Sequence, residues 1–209
     1  MSILGEKDSR SIPSLLFEVI LIGLGVFLAL LANNWHEERE HRALAQTTLR
    51  NFAEELRANQ VAVGSNQSYH ITLFSELQQF LLSKEPATDE RFNLSVHFLG
   101  IRPVVFEHTA WDLALATQAL SYLKPDLALA ISKVYTQQNA FQLLENSFLA
   151  SAFTPATFAS EDVKGLATAM RVYLADVNSL EPAMLARYRE VLPEIDSALG
   201  IRAMKKADK

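Results

Sequence analysis

Residues 13–32 read PSLLFEVILIGLGVFLALLA, an apolar run in which Glu18 is the only charged side chain. About 20 apolar residues, rising about 1.5 Å each along a helix, cross a hydrocarbon core about 30 Å thick. Pro13 suits the first helical turn, where the amide that it lacks would have no partner. The run therefore predicts a transmembrane helix over residues 13–35, preceded by a short tail over residues 1–12.

The end of this run carries the residues that mark a membrane–water boundary. Asn33, Asn34 and Trp35 follow the last apolar residue, and an indole ring prefers the headgroup level. We predict that these three residues anchor the helix at the interface. The alternative is a cleaved signal peptide, which has a shorter apolar core and a small-x-small cleavage site. The sequence Leu30-Leu31-Ala32 fits such a site poorly, so a retained anchor is favoured.

One face of the predicted anchor carries small residues beside its single charge. Gly25 and Ala29 form a small-xxx-small pair, the spacing that lets two helix backbones approach closely in lipid. Intramembrane carboxylates are costly and often functional. We predict that this face packs against another transmembrane helix, with Glu18 either bonding across the contact, coupling to ions or protons, or reaching the headgroups passively. The predicted packing residues are Glu18, Ile22, Gly25, Ala29 and Ala32.

Residues 17–40, FEVILIGLGVFLALLANNWHEERE, resemble the N-terminal anchor of a bacterial family of uncharacterised single-pass membrane proteins. The shared signature is Glu, six residues, Gly, an Ile/Leu-Ala-Leu run, and then Asn-Asn-Trp-x-Glu-Glu. The matching positions are Glu18, Gly25, Ala29, Leu30, Asn33, Asn34, Trp35, Glu37 and Glu38. The resemblance covers about an eighth of the chain, and it implies the single-pass topology and no particular reaction.

Charge gives only a weak indication of how the anchor is oriented in the membrane, because basic residues flank both of its ends. Lys7 and Arg10 precede it, whereas Arg39, Arg42 and Arg50 follow it. Large C-terminal domains cross membranes despite modest positive charge. We expect a bacterial inner-membrane protein with a cytoplasmic N-terminus and a periplasmic domain.

The composition narrows the class of the remaining chain. A net charge of -5 with scattered basic residues argues against a nucleic-acid partner, which needs a concentrated positive face. The chain has no cysteine, which excludes disulfides, thiolate metal sites and cysteine nucleophiles. Only seven glycines and seven prolines occur, which favours helices over a turn-rich all-β fold.

Helical periodicity dominates the sequence after Trp35 and predicts an all-α bundle over residues 36–200, followed by a basic tail over 201–209. The anchor helix is expected to continue to Val63, with a break or kink at Gly64-Ser65-Asn66. Loops are expected at 84–89 and 100–103, and a short strand at 104–106 is an open alternative. Further helices are expected over 69–82, 111–123, 125–150, from an N-cap at Ser160 to about 177, and 182–199. The apolar stripes expected to be buried comprise Ala45, Leu49, Phe52, Leu56, Val63, Leu127, Ile131, Val134, Phe141, Phe148, Val163, Leu166, Met170, Leu174, Val177, Leu185, Tyr188, Leu192, Ile195 and Leu199.

Catalytic patterns are scarce. The chain has no G-x-S-x-G, no phosphate-binding glycine loop and no H-E-x-x-H. Glu38-x-x-His41 has the spacing of di-iron bundles, but those need a second such motif. His36 with Glu40, and Glu37 with His41, allow at most a weak surface metal site, so we predict neither metal nor cofactor.

The densest polar-aromatic group lies near the middle of the chain. His108, Trp111 and Asp112 fall within five residues, and Asp112 is placed to accept from His108 across one helical turn. This group is either a contact at the start of a helix or a ligand site. His70 and His97, isolated in sequence, are expected to be packing or surface residues.

These observations favour a non-enzymatic membrane-anchored interaction protein or accessory subunit. Its expected partners are membrane lipid and a second transmembrane helix, from its own copy or from another membrane protein. A continuous helix from anchor to domain could transmit a rotation or tilt. Two alternatives remain at this level: a ligand-sensing helical bundle that signals through a partner, and an accessory subunit of an ion-driven complex that uses Glu18.

Overall fold

The computed structural model describes residues 12–152, 154 and 162–201, and side chains from residue 16 onward. The described part is all-α, as predicted. Most of the two predicted tails (1–11 and 202–209) and the predicted N-cap Ser160 lie outside the described residues. The helices are α1 (Ile12–Leu82), α2 (Asp89–Ser95), α3 (Thr109–Ala116), a 3₁₀ turn (Ala119–Tyr122), α4 (Pro125–Ala152) and α5 (Val163–Ala198).

The chain divides into two compact units, Met1–Leu44 and Ala45–Lys209. In the first unit, α1 is long and apolar enough to cross a membrane. Every large apolar side chain from Leu16 to Leu31 is 48% to 67% exposed. Removing such a side chain fully from water is worth about 1.5–3 kcal/mol, so burial of this exposed apolar surface would be favourable.

The second unit is a helical bundle formed by the later turns of α1 together with α2 to α5. One apolar core joins these elements, and Phe52, Ile131 and Ile195 are fully buried in it. Hydrogen bonds also cross between helices, such as Gln138 Nε2 donating to the Tyr188 hydroxyl at 2.8 Å. Arg57 and Asp196 form an ion pair between α1 and α5.

Most predicted stripes are confirmed as buried, with a few residues at their ends only half-buried. The predicted burial of Leu166 is wrong, because this side chain is 38% exposed while the neighbouring Ala167 is fully buried. The N-cap of α5 is Asp162, whose carboxylate accepts from the Gly165 amide at 2.8 Å, so the helix begins two residues later than predicted.

The predicted break at Gly64-Ser65-Asn66 is wrong, because α1 runs through it to Leu82. A glycine inside a helix costs only about 1 kcal/mol relative to alanine. The buried residues on either side, Val63 and Leu73, keep this part of α1 in the core. Burial of the flanking turns therefore outweighs the local cost of Gly64.

The division at Pro182 is also wrong, because Pro182 and Pro193 both lie inside the single helix α5. An interior proline removes one helical hydrogen bond and costs about 3 kcal/mol. Val177 and Met184, one on each side of Pro182, are fully buried. Packing on both sides keeps the helix intact across the proline.

The region between α2 and α4 departs from the prediction in two ways. Residues 96–108, called the extended segment below, form no strand and have no regular secondary structure, with Val96, Val104 and Phe106 buried. The helix predicted over 111–123 ends at Ala116, and Gln118 adopts a left-handed conformation (φ 55°) before the 3₁₀ turn. The loops around 84–88 and 100–103 and the start of α4 at Pro125 are confirmed.

We predict that Gly64→Ala raises the free energy of unfolding by about 1 kcal/mol. An added Cβ would meet Leu185 at 4.0 Å, an ordinary contact. Thermal unfolding of the full chain in lipid discs measures the effect, expected as a rise in midpoint of about 2–4 °C. Gly165→Ala is the control, since its Cβ would lie 2.3 Å from the capping Asp162 carboxylate. Losing that cap offsets the helical gain, so equal stabilisation by both variants would contradict this account.

Candidate functional site

The polar residues after the anchor pair along one helix. Asn33 donates to Glu37 at 2.7 Å, and His36 lies 3.1 Å from Glu40. Glu38 pairs with Arg42. Of the two pairs considered in the sequence, His36 lies beside Glu40, whereas the described partner of Glu37 is Asn33 and Glu38 is paired with Arg42.

The predicted packing face of the anchor is open along its length. Ile22 is 62% exposed, and a Cβ added at Gly25 would meet no atom within 4 Å. Glu18, Ala29 and Ala32 are likewise exposed. Asn33, Asn34 and Trp35, the predicted interface residues, are exposed one turn further on, where the Arg39 guanidinium lies 4.7 Å from the centre of the Trp35 ring.

In the structure, His108 and Trp111 of the predicted group lie beside Tyr135, whereas the Asp112 side chain is exposed. Trp111 stacks on Tyr135 with ring centres 4.9 Å apart, and the His108 ring lies 5.7 Å from the same tyrosine. Asp112 is exposed, and its amide donates to the His108 carbonyl at 3.0 Å. Two of the three residues thus join an aromatic cluster around Tyr135, and the contact between His108 and Asp112 belongs to the start of α3.

A carboxylate from α1 completes this region. Glu55, 7% exposed, accepts from the Ala110 amide at 2.7 Å and from the Tyr135 hydroxyl at 2.6 Å. Its carboxylate caps the N-terminus of α3 from another helix, in place of a local capping side chain. Burial, and then the hydrogen bond to Glu55, raise the pKa of Tyr135 well above its usual range, so this hydroxyl stays protonated.

The extended segment (residues 96–108) is bonded to the bundle by polar side chains of the helices. Asn59 forms two 2.9 Å hydrogen bonds with the backbone of Glu107, one in each direction. The Tyr69 hydroxyl donates to the Gly100 carbonyl at 2.5 Å and accepts from the Leu99 amide at 3.0 Å. These side chains replace the backbone partners that a sheet would supply.

The most deeply buried polar group is formed by His70, Glu145, Tyr173 and Glu181, here called the His70 cluster. His70, Glu145 and Glu181 are fully buried, and Tyr173 is 4% exposed. His70 Nδ1 lies 2.6 Å from Glu181 Oε1, and its Nε2 lies 3.1 Å from the Ile101 carbonyl. Glu145 Oε1 accepts from the Val104 amide at 2.7 Å. The cluster thus joins α1, α4, α5 and the extended segment.

The hydrogen bonds of His70 determine how many protons the His70–Glu181 pair carries in total. A carbonyl oxygen only accepts, so the Nε2 facing Ile101 carries a proton. The 2.6 Å contact on the other side needs a second proton, on Nδ1 or on Glu181. The pair is therefore neutral overall, as imidazolium and carboxylate or as imidazole and carboxylic acid. Burial lowers the pKa of His70, but the bond to Glu181 and the surrounding charges outweigh it, so the net shift is upward.

Glu145 is the member of the cluster whose negative charge, when ionised, is least balanced by neighbouring groups. Burial, and then the Glu181 charge, raise its pKa to about 7, and the Val104 amide, His70 and the Tyr173 hydroxyl oppose this rise only in part. The Tyr173 hydroxyl is close enough to interact with this carboxyl, but no well-formed hydrogen bond reaches it, Glu145 Oε2 or Glu181 Oε2 among the described residues. Ionised, Glu145 would bring one unbalanced negative charge into the core, which strongly disfavours that form.

Sequence reasoning missed this cluster, because it described His70 and His97 alike as packing or surface residues, and only the structure separates the buried His70 from the exposed His97. His70 and Glu181 are 111 positions apart in the chain. A usable signal lay in the helical stripes, where Glu145 and Glu181 fall on faces that also carry buried Phe141 and Leu185. A charge at a core position of a helix marks a residue that needs an internal partner.

A groove of about 670 Å³ opens beside α2 and the ends of α4 and α5. Its lining is mainly apolar, with Phe92, Phe148 and Leu166. Its acids, Asp89 and Asp162, stand at helix starts, where Asp162 already accepts from Gly165. The described lining therefore lacks the convergent polar groups that orient a bound ligand.

We predict that Tyr135→Phe lowers the free energy of unfolding by about 1–3 kcal/mol, because it leaves a buried Glu55 oxygen without its donor. Chemical denaturation of the full chain in lipid discs measures the loss. The matched control is Tyr122→Phe at a 40% exposed position, expected to lie within about 0.5 kcal/mol of the wild type. Equal losses in the two variants would contradict the role assigned to the Glu55–Tyr135 contact.

Neither a metal-binding group in the described residues nor a similar known protein indicates what this chain does. Within residues 12–152, 154 and 162–201, no group of three or more acidic, histidine or cysteine side chains could hold a metal ion. No protein-family model, curated protein or solved structure matches the chain. The resemblance of its anchor to a bacterial single-pass family therefore stays a prediction.

Proposed function

We propose that this chain is a non-enzymatic, single-pass membrane protein that assembles with other membrane proteins through its anchor. The observation that carries the proposal is the exposure of every large apolar side chain between Leu16 and Leu31 on a helix that continues to Leu82. The exposed stretch is suited to lipid, and the later turns of the same helix form part of the bundle core. The chain thus combines an anchor with a folded interaction domain.

The anchor face with Gly25 and Ala29 is the proposed contact with a second transmembrane helix. Small side chains allow close backbone approach, and lipid provides no hydrophobic force that would otherwise bring helices together. Glu18 and Ile22 lie on the same face, where a carboxyl group can bond across the contact. The partner is either a second copy of the chain or another membrane protein.

The interior of the domain supports a binding rather than a catalytic role. Glu55, Asn59 and His70 make their contacts with the backbone of residues 96–110 or with neighbouring helices. These polar groups organise the fold instead of converging on a cavity. We place the protein in the bacterial inner membrane, with the N-terminus in the cytoplasm and the domain in the periplasm, on the grounds of the anchor resemblance and the flanking charges.

The first experiment is extraction of the tagged protein from its native membrane into polymer discs, followed by native mass spectrometry. A homo-oligomer or a stoichiometric second protein is expected. A purified chain that is monomeric and without a partner in native-like lipid would refute the proposal.

We predict that Gly25→Ile abolishes this assembly, whereas Gly23→Ile leaves it intact. The two glycines are about 200° apart around the helix, so only Gly25 lies on the proposed face. A Cβ at either site meets no atom of the chain within 4 Å, so neither change strains the protein itself. The readout is the ratio of assembled to monomeric species, with Glu18→Gln as a third variant that tests the carboxyl group. Equal behaviour of the two glycine variants would exclude this face as the contact.

A further inference from the structure

We propose that the His70 cluster is a proton-operated lock, which fastens the extended segment to the bundle while Glu145 is protonated and loosens it when Glu145 ionises. The ligand sensed at this site is the proton. This inference goes beyond the proposed assembly function, and it holds for either orientation in the membrane.

The geometry of the cluster places the lock at the junction of four elements. His70 comes from α1, Glu145 from α4, and Tyr173 and Glu181 from α5. The extended segment contributes the Ile101 carbonyl and the Val104 amide, bonded to His70 and Glu145 respectively. The Val104 amide bonds an ionised carboxylate more strongly, so this contact alone would favour ionisation. Burial of Glu145 outweighs it, and release of residues 96–108 would let water reach the charge.

The charges that face Glu145 come from these same elements. The neutral pair of His70 and Glu181 supplies one positive and one negative charge when it is in its ionic form, and Tyr173 supplies a neutral hydroxyl. From the extended segment, the only charged side chain between the two attachment points is Arg102, which is exposed and lies 4.4 Å from the centre of the Tyr69 ring. With Glu145 protonated the cluster is neutral, and with Glu145 ionised it carries a net charge of about −1 in a low-dielectric core.

The direction of the pH effect follows from two upward shifts. Glu145 moves from an ordinary pKa of 4.5 to about 7, so its contribution to stability is complete below pH 4.5 and is lost as the pH rises to about 7. The pKa of His70 rises from 6.5, so its contribution is complete below pH 6.5 and is lost above its higher folded value. Both groups therefore make the locked state weaker as the pH rises.

Local release is expected to start at the extended segment rather than at the helices. Residues 96–108 have no regular secondary structure, and their buried backbone groups depend on side chains of other elements. The helices keep their own backbone hydrogen bonds when a side-chain contact is lost. Segments held by few such bonds are the ones that open at low free-energy cost.

The test compares the full-length wild type with Glu145→Gln in phosphatidylcholine discs between about pH 5 and pH 8. Glutamine keeps an oxygen for the Val104 amide and cannot ionise. The wild-type unfolding midpoint is expected to fall relative to that of Glu145→Gln by roughly 5–10 °C across this range. A difference between the two midpoints that stays constant with pH would overturn the proposal.

Hydrogen exchange shows which part of the chain loosens as the pH rises. After correction for the intrinsic pH dependence of exchange, peptides covering residues 96–108 are expected to lose protection in the wild type towards pH 8 and to keep it in Glu145→Gln. Protection that is equal in the two proteins at every pH, or a loss confined to other segments, would show that the cluster does not control this segment.

The matched control is the exposed histidine–glutamate pair. His97 Nδ1 lies 2.8 Å from Glu76 Oε1, with the His97 side chain 80% and the Glu76 side chain 20% exposed. Glu76 Oε2 also accepts from the His97 amide at 2.8 Å, and glutamine keeps an oxygen for that amide. Glu76→Gln is expected to follow the wild-type pH profile, because solvent screens this pair. A flattening equal to that in Glu145→Gln would contradict the assignment to the buried cluster.

A measurement on the wild type alone keeps the proposal testable if Glu145→Gln does not fold. Infrared spectroscopy is expected to show the carbonyl band of a buried carboxylic acid that disappears between about pH 6 and pH 8, as Glu145 ionises. Because the neutral pair of His70 and Glu181 can itself contain a carboxylic acid, the change of the band with pH is the test, and a band that is absent at pH 6 or unchanged up to pH 8 would overturn the proposal.

Discussion

The fold of the domain depends on satisfying the backbone of residues 96–108. This segment crosses the bundle with Val96, Val104 and Phe106 buried, yet it is neither helix nor strand. Buried amide and carbonyl groups left without partners each cost about 1–3 kcal/mol. The helices therefore direct polar side chains inward, and Asn59, His70 and Glu145 bond to its backbone.

That requirement explains why a helical bundle contains buried ionisable groups. A buried charge is tolerated only where it is paired or hydrogen-bonded. Glu55 meets the condition through the Ala110 amide and Tyr135, and His70 meets it through Glu181 and Ile101. Glu145 has one oxygen bonded to the Val104 amide and the other without a well-formed bond, so burial shifts its pKa upward in spite of that amide. The sensitivity to pH follows from the way the segment is attached.

The sequence predicts the parts of this structure that depend on local periodicity. The exposed apolar helix around Gly25, the stripe through Leu49 and Phe52, and the start of α4 at Pro125 all follow from spacing and turn chemistry. Gly64 is expected from the sequence to interrupt a helix and Pro182 to begin a new one. The local cost of each residue can be read from the sequence, whereas the burial of the flanking turns that compensates for it cannot. The contact between His70 and Glu181 joins residues 111 positions apart, so no local pattern indicates it.

The surroundings of the buried ionisable groups indicate what these groups can do. In an active site, perturbed ionisable groups border a pocket that can admit a substrate. Here the described partners of His70 and Glu145 are other side chains and the backbone of the extended segment, whereas the 670 Å³ groove has a mainly apolar lining. Such an arrangement links the charge of the buried cluster to the way the extended segment is attached, because the same side chains that titrate also bond its backbone.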